Sequence, residues 1–396
     1  MKKALLLLGI FWMSFITTFA QTTVGSYTNF TEKLEKNYQQ QSRGSNLINL
    51  NLENGFSLKG KILSKTISNN EMIYEGIIDG QKAGFTFTLK NGKLSGEIIL
   101  SEKEKAYSYK NDENGNVIIT ETSINQFVCV DKNLPITKNQ RISKEETPAL
   151  PQGTDIYKLE SYPNAPAVVY LDFDGHLVTD SWWTNRYNNG KFINCTPANL
   201  TDAQMYEIWE VVSEDFRPFN INITTDPTVF DKVVTTKRQR VVITRTGDWQ
   251  TLSSTGIARI GAFSVSDSPV FSFPSGLSRN QDRAEVTSHE IGHALGLRHD
   301  GATGSNATNY YRGHGEWCTI MGAGYSDDIT QWNKGEYATS NNSQDDIEII
   351  TNTKNGFGFR TDDHGNTQTS GTAITESISK KLLQQKTVVL LNKEQM

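Results

Sequence analysis

The stretch AEVTSHEIGHALGLRHDG, residues 284–301, carries three of the six histidines in a chain of 396 residues. His289 and His293 are four apart, His299 follows six later, and Glu290 stands beside the first. An α-helix turns roughly 100° per residue, so with Ala284 at zero, Ile291 and Leu295 fall within roughly 20° of it. His289 and His293 then fall at roughly 140° and 180°, one turn apart on the opposite face. Two imidazoles stacked in this way can share one metal ion. Glu290 lies roughly 100° around from His289, beside such an ion rather than on it, where a general base belongs.

Gly296 decides the third ligand. Glycine takes the left-handed conformation that ends a helix without steric cost, and a helix stopped there can turn His299 back toward the other two. If the helix continued, His299 would sit at roughly 60°, well off their face. Three protein ligands leave a fourth position for water, which is the catalytic form of a zinc site. Imidazole donors, one nearby carboxylate and an exported location favour Zn²⁺ over iron or calcium. Three buried histidines held only by hydrogen bonds explain the spacing poorly.

The rest of the chain must position these groups. Residues 165–175 form a continuous apolar run that reads as a buried strand. Residues 201–219 read as a helix with Thr201 as N-cap, and a second helix is expected at about 281–296, a third at 344–352. Strand candidates lie at 221–226, 239–246, 256–263 and 268–273. Strands interleaved with helices predict a sheet that is at least partly parallel. Upstream, residues 50–125 differ: short alternating runs are parted by Asn54-Gly55, Asp79-Gly80, Asn91-Gly92 and Asn114-Gly115, which predicts an antiparallel meander of five or six strands. A short helix is expected at 27–40.

The opening MKKALLLLGIFWMSFITTFA has a basic start, a short apolar run and small residues at its end, the pattern of a cleaved secretory signal. No later apolar run is long enough for a membrane span. The net charge of −5, from 39 basic and 44 acidic residues, is well mixed and shows neither a nucleic-acid stripe nor a polybasic patch. The oligomeric state is not written in the sequence.

HEIGHALGLRH matches the H-E-x-x-H-x-x-G-x-x-H signature of the metzincin zinc endopeptidases, and Asp300 after the third histidine resembles the reprolysin or adamalysin branch. CTIMGAGY (318–325) looks like that family's methionine turn, with Met321 supporting the ligands from below. The resemblance covers about 160–353. It implies a twisted five-stranded, mostly parallel sheet over a cleft whose edge strand runs antiparallel to bound substrate. It also implies peptide-bond hydrolysis of protein or peptide substrates, with Glu290 activating a water on the metal. The residue after the cut would be chosen by loops following Met321. Tyr325 is two positions beyond the tyrosine that some relatives use as a ligand and reads as structural; His314 reads as a loop histidine, and His364 carries no signal.

The overall expectation is an α+β protein: signal peptide 1–20, a mostly antiparallel β-rich propeptide domain 21–131, a polar linker with the activation cleavage at 132–164, a catalytic domain 165–353 and a polar tail 354–396. If Cys195 and Cys318 form a disulfide, as export permits, Cys129 is left over. A thiolate is a strong zinc ligand, and some metzincins are silenced by a propeptide cysteine on the metal, so Cys129 is a candidate switch. A small buried hydrophobe between Val128 and Val130 is the plainer reading of the same residue. Asp172, Asp174 and His176 admit a Ca²⁺ ion, and a strand end facing solvent explains them equally well. The rival to a protease is a catalytically silent, zinc-stabilised binding or adhesion module, and a weaker one is a non-peptide amidase.

Overall fold

The computed structural model describes residues 21–40, 47–52, 55–68, 70–132, 150–250, 254–265, 267–324, 327 and 329–362. The expected signal peptide 1–20, about half of the expected linker (133–149), Tyr325, His364 and most of the tail (363–396) lie outside the described residues.

The chain begins with β1 (Thr22–Ser26) and α1 (Tyr27–Gln39), whose N-cap Ser26 accepts a hydrogen bond from the Asn29 amide at 3.2 Å. Seven strands follow: β2 (Leu47–Asn51), β3 (Ser57–Ser68), β4 (Glu71–Ile78), β5 (Ala83–Lys90), β6 (Lys93–Leu100), β7 (Lys105–Asn111) and β8 (Asn116–Ser123). They make one antiparallel sheet in the order β1-β8-β7-β6-β5-β4-β3-β2. The consecutive strands β2–β8 make the expected antiparallel meander, seven strands rather than five or six, and β1 adds an eighth beside β8. At Asn91-Gly92 both residues have positive φ (49° and 73°), as a tight two-residue hairpin turn requires. Leu34 of α1 is buried on the sheet with Phe85, Phe87 and Tyr109.

A 3-10 turn at Ile124–Gln126, capped by the Ser123 hydroxyl, then carries the chain out of this sheet. The next strand, β9 (Val128–Lys132), is not the end of the β meander, as the domain limits 21–131 suppose. It belongs to a second sheet that the downstream half builds. That half contains β10 (Ala167–Asp172), the β11 (His176–Val178) and β12 (Ile193–Cys195) pair, α2 (Ser181–Tyr187), α3 (Asp202–Asp215), β13 (Ile221–Thr224), α4 (Pro227–Asp231), β14 (Arg238–Ile243), β15 (Ser254–Arg259), β16 (Val270–Ser272), α5 (Asn280–Leu295), β17 (Trp317–Thr319), β18 (Ile329–Gln331) and α6 (Asp346–Thr351). The second sheet runs β13-β10-β14-β16-β15-β9. Its first four strands are mutually parallel, β15 is antiparallel to β16, and β9 is antiparallel to β15. The downstream strands alone therefore make a five-stranded, mostly parallel sheet, and the upstream chain adds a sixth.

Helix α3 starts with the expected cap: Thr201 and Gln204 exchange hydrogen bonds between side chains and backbone. Ile208 and Val212 of α3 and Ala284, Ile291 and Leu295 of α5 share the main core with Val169 and Val241. Among the described residues no helix is long and apolar enough to cross a membrane.

The two sheets are joined through α2, which the sequence reading did not find. Asp180 caps it by accepting from the Trp183 amide at 3.1 Å. Trp182, Trp183 and Tyr187 pack with Ile99 and Ala106 of the first sheet and Phe271 of the second. The fully buried Arg186 donates to Glu97 and Thr86, each at 2.8 Å. This seat fixes the upstream sheet and therefore the strand it delivers.

A candidate metal centre closed by an upstream strand

Helix α5 is buried along almost its whole length and ends where expected, with Gly296 at φ 112° in the left-handed region. The chain turns back, and the three histidines converge. His289 Nε2 and His293 Nε2 lie 3.0 Å apart, and the His293 and His299 ring centres are 4.8 Å apart. Tetrahedral zinc with Zn–N of about 2.1 Å places ligand nitrogens roughly 3.4 Å apart, close to this spacing. The His289 Nδ1 atom faces the Ile320 carbonyl at 2.8 Å, and His293 Nδ1 faces Leu297 at 2.9 Å. Each ring thereby donates from Nδ1 and leaves the Nε2 lone pair free for a metal. Burial, first, and His289 hold His293 and His299 well below the ordinary histidine range, so both stay neutral donors.

The fourth donor comes from β9. Cys129 Sγ lies 2.7 Å from His299 Nε2, and the ligand atoms of Cys129, His289, His293 and His299 all fall within 4.8 Å of one another. Cys129 pairs with Ala258 across the β9–β15 ladder and is 1% exposed. Without a metal, burial, first, and Glu290 push its thiol well above the ordinary range. The site residues fit zinc: three imidazoles, two of them oriented through Nδ1, and one thiol are soft to borderline donors in a tetrahedral count.

Glu290 is fully buried and neither carboxylate oxygen accepts a hydrogen bond from a described residue. It packs against Gly256 of β15, where a Cβ would meet its Oε1 at 2.1 Å. Burial, first, and then Asp131 of β9 raise its carboxyl well above the ordinary range.

Met321 is buried beneath the centre. A Cβ on Gly292 would meet its Sδ at 2.6 Å, so glycine in α5 makes room for it. Its carbonyl accepts from the Asp300 amide at 2.8 Å, tying it to the residue after His299. Asp300 accepts from Thr319 and from Asn342 and is not among the clustered ligand atoms.

Cys195 and Cys318 are both free thiols. The expected disulfide is not formed: Cys195 sits on β12 in the cluster with Trp182, while Cys318 packs against the Tyr311 carbonyl and Gly324. Each thiol is buried in its own neighbourhood. At the other acidic cluster, Arg240 bonds Asp172 and supplies the positive charge that a calcium ion would otherwise bring. His314 is an exposed loop residue bonded to the Tyr311 hydroxyl at 2.7 Å.

Several residues of the centre escaped the sequence reading. The Tyr310 ring lies 4.1 Å from the His299 ring, and its hydroxyl donates to the Val130 carbonyl at 3.3 Å. Arg298 donates to the carbonyls of Asn125 and Gln126, just ahead of β9. Thr255 donates to Asp131 Oδ2 at 2.9 Å. None has a signal beyond its proximity in sequence to a motif residue or to Cys129.

Residues 232–333, from the end of α4 through α5 and the segment after Met321, match a reprolysin-like profile described as metallo-peptidase family M12. The match supports a metzincin-like metalloprotease. No curated protein matches the chain.

Proposed function

We propose that the protein is an exported zinc endopeptidase made as a zymogen, with Cys129 closing the metal site until the linker after β9 is cut. The observation that carries the reading is the donor set: three imidazoles from α5 and its turn, and one thiol from a strand that precedes the linker. A bound Zn²⁺ would supply the electrophile that polarises the scissile carbonyl. Glu290 takes a proton from the attacking water and delivers it to the leaving amine. Edge strand β15, freed of β9, offers its backbone to an extended peptide, and Gly256 lets that peptide come close to Glu290. Met321 keeps the ligand floor rigid. Tyr310 and Thr255 hold β9 in place through the Val130 carbonyl and Asp131, and Arg298 holds the turn just ahead of it.

A four-donor set is also the form that structural zinc sites take, which is the observation on the side of a silent binding module. A structural site has no use for the buried carboxylate of Glu290, whose burial is costly unless it serves a reaction. Digestion of casein or gelatin by the processed protein, beside Glu290→Ala, tests the reading. Equal digestion, or none by either, would refute it.

A further inference from the structure

We propose that the Tyr310 hydroxyl is a catalytic donor, stabilising the negative oxygen that forms when water adds to the scissile carbonyl. The inference rests on the endopeptidase reading above. Tyr310 stands eleven residues before Met321, away from the position where some relatives carry a tyrosine ligand, so the resemblance does not supply it.

The surroundings of the Cys129 sulfur single it out. Glu290, Asp131, Tyr310 and Arg298 all neighbour that atom. Asp131 lies on β9 and departs with it. Arg298 is turned to the carbonyls of Asn125 and Gln126. Glu290 remains as the proton acceptor, and Tyr310 remains as a neutral donor. Its hydroxyl donates to the Val130 carbonyl at 3.3 Å, a peptide carbonyl next to the residue that closes the metal site. That bond is long for an O–H donor, whose preferred distance is about 2.7–2.8 Å, so it leaves room for a stronger acceptor. When β9 leaves the cleft, a substrate carbonyl takes the place of the Val130 carbonyl.

The donor is fixed by the catalytic half alone. The Tyr310 ring packs on the His299 ring at 4.1 Å between centres. The Thr308 hydroxyl accepts from the Tyr310 amide and donates to the Tyr310 carbonyl, both at 3.2 Å. Tyr311 donates from its amide to the Asp300 carbonyl and accepts from the Ala323 amide, both at 2.7 Å. The backbone at Tyr310 is thus tied to the residue after His299 and to the segment after Met321. None of these bonds involves β9, so they stay when the strand goes. A donor held in place before the charge appears needs no reorganisation at the moment of reaction. The side chain also lines a cavity of about 200 Å³ together with Val130, Ile257 and His299, so it borders open space rather than solid core.

In the reaction the water oxygen bonds to the carbonyl carbon, the carbonyl π pair moves onto its oxygen, and Glu290 takes the water proton. Tyr310 keeps its own proton and hydrogen-bonds the negative oxygen. When the C–N bond breaks, that oxygen re-forms its double bond and the amine nitrogen takes the proton from Glu290. A hydrogen bond to a charged acceptor is roughly twice as strong as a neutral one, so Tyr310 favours the transition state over the bound substrate.

The test uses the zinc-loaded full chain cut within residues 133–149, both parts retained, as wild type and as Tyr310→Phe. Zinc content and thermal unfolding are measured on each. In the variant kcat should fall about 100-fold, with KM within about threefold of wild type. The dissociation constant of a phosphinic peptide, whose tetrahedral P–O⁻ copies the negative oxygen, should rise by a comparable factor. The affinity of an uncut peptide for Glu290→Gln should change by less than about threefold when Tyr310→Phe is added. A tyrosine that only props up the fold would weaken both ligands alike or lower the zinc content. A crystal structure of the wild type with the phosphinic peptide should place Tyr310 Oη about 2.5–3.0 Å from a phosphinyl oxygen, and this reading does not depend on how the variant folds. Unchanged kcat, equal weakening of the two ligands, or Oη turned away from the phosphinyl oxygen would overturn the proposal. Absence of cleavage of every peptide by the wild type would instead sink the endopeptidase reading. The phosphinic peptide then decides Tyr310 alone, and equal affinity for wild type and variant, or binding to neither, would reject it.

Discussion

Replacing Gly256 by alanine moves the base without touching the metal ligands. The added Cβ would stand 2.1 Å from Glu290 Oε1 and 2.7 Å from its Cγ and Cδ, where real Cβ contacts stay beyond 3.0 Å. The carboxylate must recede by at least 3.0 − 2.1 = 0.9 Å. The obstacle is the end of a flexible side chain, so the strand survives and the base moves. Misplacing a reacting group by about 1 Å costs on the order of 10²-fold in rate, or ~2.7 kcal/mol of barrier. The assay is kcat of the processed protein at saturating peptide, with zinc content and thermal unfolding measured on the same samples. We expect kcat to fall about 100-fold, with KM, zinc content and unfolding close to wild type. Wild-type kcat would show that Glu290 does not act from this position. Loss of zinc would show that the crowding reaches the ligands and not the base.

In the uncut precursor, Cys129→Ser should show activity without processing, and thiol-modifying mercurials should activate the wild-type precursor; a variant as silent as wild type would leave steric cover by β9 as the lock. Glu290→Gln should bind zinc normally while turnover falls by at least about 10²-fold, whereas His293→Ala should lose both metal and activity; zinc loss in the glutamate variant would contradict its assignment as base. Gly296→Val places a β-branched residue at φ 112°, so metal content and folding should both drop, and normal zinc binding would reject the turn as the device that delivers His299. Burial, first, and Asp300 push the Asp346 carboxyl from 3.8 up to about 8. A raised folded pKa gives stability that is full below 3.8 and lost as pH rises through about 8. Tm should therefore fall between about pH 5 and 8, by roughly 2–4 °C for each kcal/mol lost, and Asp346→Asn should flatten that fall; an unchanged slope would remove Asp346 from the account.

The helix, its glycine stop and the shared face of His289 and His293 were legible because each follows from rotation per residue and from one backbone conformation. The alternating runs and Asn-Gly turns of the first sheet were legible for the same reason: period and turn chemistry are local. What escaped was long-range. Val128-Cys129-Val130 reads as the end of the first β domain, and only a 3-10 turn at Ile124–Gln126 sends it to the other sheet. Helix α2 is seven residues long and too short for periodicity to declare itself. Gly256 looks like an ordinary strand glycine until Glu290 is seen beneath it. The Cys195–Cys318 pairing was arithmetic on a count of three, and arithmetic carries no distance.

The β9–β15 ladder has a consequence for how the chain survives its own synthesis. Strand β15 would otherwise border the sheet with open amides and carbonyls, and such a border templates association with other chains. Residues 128–132 are synthesised long before 254–259, so the cover exists before the edge it must cover. A newly made chain thus closes its stickiest border intramolecularly, at an effective concentration that no neighbouring chain can match. On the proposed zymogen reading, removal of the upstream part would trade that protection for an edge free to take up extended polypeptide. Colloidal stability should therefore be lower after the cut than before it, and peptides that fill the edge should restore it.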